Sequence, residues 1–78
     1  MKRINVDEFD FENRKGQILN CVELATNDNE ERSVEVYECE DEKEAIEVCE
    51  ELNKANKDKH FKYFTIKYLV TENGLEAY

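Results

Sequence analysis

Between Asp41 and Asn56 the apolar residues recur at helical spacing, while on either side they gather into short strand-length blocks. That change of period constrains the fold more than any other feature of the 78-residue chain. Ala45, Val48, Cys49, Leu52 and Ala55 fall on one side of a helix, with Ile46 at its border. Glu44, Glu47 and Glu51 fall together on the opposite side. Asp41 and Glu44 have the form of a capping box, in which Asp41 accepts from backbone N–H groups and Glu44 reaches back. Glu42 and Glu44 suit the positive end of the helix dipole. The spacing predicts a helix over 42–56, closed by the polar Asn56-Lys57-Asp58-Lys59.

Gly16 opens the apolar run Ile18 to Ala25, dense enough for a central strand. Asn27-Asp28-Asn29-Glu30 has turn composition, and Val34 to Cys39 follows as a second strand, so 18–39 reads as an antiparallel hairpin. Phe61 to Val70 is the last strong strand. On it Phe64, Ile66, Tyr68 and Val70 share one face and Phe61, Tyr63 and Leu69 the other. Ile4/Val6 and Phe9/Phe11 suit an N-terminal arm or edge strand in residues 1–15.

The expected fold is a single α+β domain over 1–78: a β-β-α-β layer with an antiparallel sheet of three or four strands and one helix on one face. If the first strand of the hairpin lies between the other two, every neighbouring pair is antiparallel, in a split β-α-β arrangement. The core face of the last strand is then Phe64, Ile66 and Tyr68, which leaves Phe61, Tyr63 and Leu69 exposed as a homodimer interface. Phe9 and Phe11 compete for that face by folding back over it.

Charge is the other strong signal. Asp28 to Glu51 holds twelve carboxylates against Arg32 and Lys43, and residues 16–52 carry a net −11 where the whole chain carries −9. Such a field repels nucleic acid and anionic membrane and attracts basic protein surfaces. The candidate partner-binding set is Glu30, Glu31, Glu35, Glu38, Glu40, Asp41, Glu44, Glu47 and Glu51. Along a helix Glu44 to Glu51 spans about 10 Å, comparable to a few phosphate intervals of ~3.4 Å on one DNA strand.

No catalytic constellation accompanies this surface, and no enzyme is expected. His60, the only histidine, sits among Lys57, Lys59 and Lys62 without a paired cysteine. Cys21, Cys39 and Cys49 lack C-x-x-C spacing and lie in apolar patterns, so they read as reduced core thiols of a cytoplasmic protein rather than zinc ligands. The acidic turn at Asn27 to Glu31 lacks the central glycine and following helix of a calcium loop. No metal or cofactor is expected. No apolar run approaches the ~18 residues of a membrane span, and no apolar segment follows Lys2 and Arg3 as in a signal peptide.

A small, acidic, proline-free chain with a one-sided carboxylate surface resembles the DNA-mimic inhibitors of bacteriophages. The resemblance lies in composition and in residues 28–51, and those inhibitors share no single fold. It implies host takeover by occupying the basic DNA-binding surface of a bacterial protein, an HU-type nucleoid protein being the first candidate. The alternative is an assembly module that dimerises through its apolar sheet face, with the acidic surface serving solubility.

Overall fold

In the computed structural model, which describes residues 1–78, the order is β1 (Lys2–Arg3), α1 (Phe11–Arg14), β2 (Ile18–Thr26), β3 (Ser33–Cys39), α2 (Glu42–Ala55), β4 (Phe61–Thr71) and β5 (Gly74–Ala77). The strands form one antiparallel sheet ordered β1-β3-β2-β4-β5. The first strand of the hairpin does lie between its two partners, so α2 carries the chain from β3 across to β4. The expectation of three or four strands and one helix is too small: β5 and the single-turn α1 complete the molecule.

The hairpin turn is organised by Asp28. Its Oδ1 accepts from the backbone N–H groups of Glu30 (2.9 Å) and Glu31 (3.0 Å) and from the Thr26 hydroxyl (3.1 Å). Glu31 takes a left-handed conformation at φ 44°. A second turn, after Thr71, uses Gly74 at φ 132°, in a region that L side chains rarely enter. The chain then returns as β5, with Leu75 opposite Val70.

Each face of the sheet has its own small core. On one, Val22 and Cys39 meet Ala45 and Cys49 of α2, with Val48, Leu52 and Tyr63 packed around them. On the other, Leu19, Cys21 and Val70 lie with Phe9 and Phe11 of the N-terminal arm, Val36, Ile66, Tyr68 and Leu75. The arm is held in shape locally. Asp10 caps α1 by accepting from Asn13 N–H at 3.1 Å. The Phe9 and Phe11 rings stand 4.7 Å apart, with the Arg14 guanidinium 5.0 Å from the Phe9 ring centre.

The two faces are therefore assigned the opposite way from the sequence expectation. Tyr63, on the face shared with Phe61 and Leu69, packs beneath α2, while Ile66, Tyr68 and Val70 lie under the arm. Phe61, Tyr63 and Leu69 are half-buried, with Tyr63 packed against the helix core. The physical reason is that β4 is apolar in both parities. A strand covered on both sides carries no alternation to say which side receives the helix. Ala45 and Cys49 pack with Tyr63 on one side, and Phe9 and Phe11 pack with Ile66, Tyr68 and Val70 on the other.

Candidate functional site

The fold breaks the acidic run into three places. At the hairpin turn, Glu30 pairs with Arg32 at 3.1 Å and Glu31 with Lys62 at 2.6 Å. This turn lies against the lysine-bearing connection between α2 and β4, where Asn27 N–H donates to the His60 carbonyl at 2.7 Å. The acidity of Glu30 and Glu31 is thus met locally by cations.

Along β3 the alternation of a strand separates the next pair. Glu35 accepts from the Tyr37 hydroxyl and lies 3.9 Å from Arg3, on the α2 side of the sheet. Glu38 points to the arm side and grips Arg14 through two bonds of 2.8 and 2.6 Å. The Arg14 guanidinium holds the Glu38 carboxyl below the usual carboxylate range. Glu38 ties α1 to β3 and is not free for a partner. A single charged residue within a strand says nothing about the partner it will meet, so this commitment is not legible before α1 and β3 come together.

The third place is α2 and the turn that leads into it. Asp41 caps the helix as its spacing predicts, accepting from Glu44 N–H at 2.8 Å. Glu44 does not close the box. Its half-buried carboxylate meets the N-terminal ammonium at 3.1 Å instead. Glu42 lies 3.7 Å from Lys67. Glu40, Asp41, Glu47, Glu50 and Glu51 are exposed and belong to none of the ion pairs. On the outer side of α2, Glu47, Glu50 and Glu51 lie between Lys43 and Lys54 at the two ends of the helix. Of the expected partner set, then, Glu40, Asp41, Glu47 and Glu51 remain exposed and outside the ion pairs, as does Glu50. Glu30, Glu31, Glu35, Glu38 and Glu44 are drawn into pairing within the fold.

The thiols are core groups. Cys21, Cys39 and Cys49 are all free and buried. Burial pushes Cys39 and Cys49 up, and pushes Cys21 up to about 12, with nearby Glu38 adding to it. None is poised as a thiolate nucleophile near neutral pH. His60 Nδ1 stands 3.0 Å from Asp58 in an exposed turn. No three His, Cys, Asp or Glu side chains converge as metal ligands would. No helix is long and apolar enough to cross a membrane.

The fold and this surface define a small α+β domain with a five-stranded antiparallel sheet and an acidic outer helix. No protein-family model, curated protein or solved structure matches the chain.

Proposed function

We propose that this protein is an acidic decoy, which occupies the basic DNA-binding surface of a bacterial protein with carboxylates standing where DNA phosphates would. The observation that carries the reading is the set Glu40, Asp41, Glu47, Glu50 and Glu51: exposed, carried on α2 and the turn that leads into it, and without a cationic partner of its own. A carboxylate already paired must give up its partner before it binds another, whereas an open one gives up only water and counterions. The binding surface is accordingly smaller than residues 28–51 and centred on α2. An HU-type nucleoid protein, encountered by a phage-encoded inhibitor in the host cytoplasm, is the first candidate target.

The competing reading, a module that dimerises through Phe61, Tyr63 and Leu69, loses its main support because that face lies on the α2 side, with Tyr63 in the helix core.

The test is capture of purified HU-type protein by the immobilised chain, with and without competing duplex DNA. The expected result is capture that falls steeply from ~0.05 to 0.2 M salt, as counterion-linked binding does, and that DNA reverses. The triple change Glu47→Lys, Glu50→Lys and Glu51→Lys is expected to abolish capture, while Glu30→Gln with Glu31→Gln leaves it within about twofold. Undiminished capture by the folded triple variant, or capture indifferent to DNA, rules out the decoy.

A further inference from the structure

Glu23 lies in the middle of the central strand, opposite Val36 on one side and Phe64 on the other, on the face covered by the N-terminal arm. It is only 5% exposed, the one charged residue among the nine most buried. A carboxylate in such a place is strongly disfavoured unless it is paired and hydrogen-bonded. Yet Glu23 belongs to none of the ion pairs. Its one hydrogen-bond donor is the Tyr68 hydroxyl, which reaches Oε1. Burial, and then this bond, push the Tyr68 phenol up, so it stays protonated and donates near neutral pH.

The second oxygen is the informative atom. The one sealed side-chain oxygen without a hydrogen-bond partner is Glu44 Oε1, which faces the N-terminal ammonium. Glu23 Oε2 takes no donor either, so it keeps an opening. Glu23 lines a cavity of about 450 Å³ together with Val6, Phe11, Val36, Tyr68 and Leu75, with Glu72 among the polar residues around it. Glu72 is exposed and 3.4 Å from Lys15. The volume falls in the range that holds small organic ligands, and half of the lining is apolar, which gives a stem a surface beside the carboxylates of Glu23 and Glu72.

We propose that this cavity binds a small organic ammonium, its cationic head paired with Glu23 Oε2 and its apolar stem laid on Val6, Phe11, Val36 and Leu75. An anion is opposed by Glu23 and Glu72, and a neutral stem leaves the carboxylate without a countercharge. The phenol fixes one carboxylate oxygen and leaves the other to the head group. The cavity is on the sheet face opposite α2, so the site stands apart from the acidic helix surface and does not depend on the decoy reading.

Isotope-labelled protein titrated with n-hexylammonium, n-hexanol and hexanoate, followed by NMR, tests the proposal. Hexylammonium is expected to give saturable shifts at Val6, Val36, Tyr68 and Leu75, with a dissociation constant of about 1 mM or tighter. Hexanol and hexanoate are expected to bind at least about tenfold more weakly, and Glu23→Gln to weaken hexylammonium by a similar factor while leaving hexanol unchanged. Should Glu23→Gln fail to fold, Leu75→Ala is expected to weaken hexylammonium about threefold or more by removing part of the stem wall. Equal binding of hexanol and hexylammonium overturns the proposal. So do shifts confined to the outer side of α2, shifts that never saturate, or a Leu75→Ala variant that binds as the parent does.

Discussion

At the scale of single residues, the Arg14–Glu38 pair is the electrostatic contact with the most to lose. It is bidentate, and its side chains are 31% and 25% exposed, so it is screened less than the pairs at the hairpin turn. Because the folded state lowers the Glu38 pKa, the stability it contributes is complete above the ordinary value of 4.5 and is lost as pH falls through the depressed one. Arg14→Met is expected to cost about 1–2 kcal/mol at pH 7. It is also expected to flatten the loss of stability as pH falls below 4.5. Urea melts of both proteins across that range check it, and parallel acid limbs would remove Glu38 as their source. Asp10, Asp28 and Asp58 are also lowered, by backbone N–H bonds from Asn13, Glu30 and His60; the variant leaves those bonds in place and removes only the lesser pull of Arg14 on Asp10.

Among the elements, the C-terminal end of α2 does a task that no periodicity announces. β5 pairs with β4 only from Tyr68 to Thr71, so the outer edge of β4 nearer Phe61 has no strand beside it. Asn53 takes that place. Its Nδ2 donates to the Tyr63 carbonyl at 2.9 Å and its Oδ1 accepts from Tyr63 N–H at 3.0 Å, while Asn56 Nδ2 donates to the Phe61 carbonyl at 3.0 Å. Two side-chain amides stand in for a neighbouring strand. Asn53→Leu keeps the helix but frees both backbone groups, and is expected to cost about 1–2 kcal/mol and to promote self-association at the bared edge. Thermal melts and light scattering read the two effects, and a variant as stable and as monodisperse as the parent would deny Asn53 this role. The main elements were legible because each has one dominant period: α2 through its stripe at Ala45, Cys49 and Leu52, β2 through its unbroken apolar run. Three features were not. α1 is a single turn set by Asp10 and Asn13, too short to show a period. β5 has four residues and depends on the turn at Gly74. The assignment of the faces of β4 failed because both are apolar. The candidate site was half legible, since composition located the acidic residues but the pairing that neutralises Glu31, Glu38 and Glu44 arises only when distant segments meet.

For the molecule as a whole, like-charge repulsion persists despite the pairing, for the net charge is −9 and the open carboxylates crowd α2 and its entry turn. The melting temperature is expected to rise between ~0.01 and 0.2 M monovalent salt as the Debye length falls from ~30 Å to under ~10 Å. A fall across that range would mean that the ion pairs outweigh the repulsion. The sheet order also decides when things happen. β2 meets β3 across a short turn, but it meets β4 only after α2, with Ile18 opposite Leu69 at the far end of the ladder. Closing so long a loop delays the second partnership, so folding is expected on a millisecond-to-second rather than a microsecond scale. The hairpin and α2 are expected to form first, with the N-terminal arm settling after the sheet is complete. In stopped-flow experiments Val22→Ala is then expected to slow folding, whereas Arg14→Met chiefly hastens unfolding. The strand at the centre of the finished sheet thus waits for the chain to return from α2, and until β4 arrives one of its edges stands open.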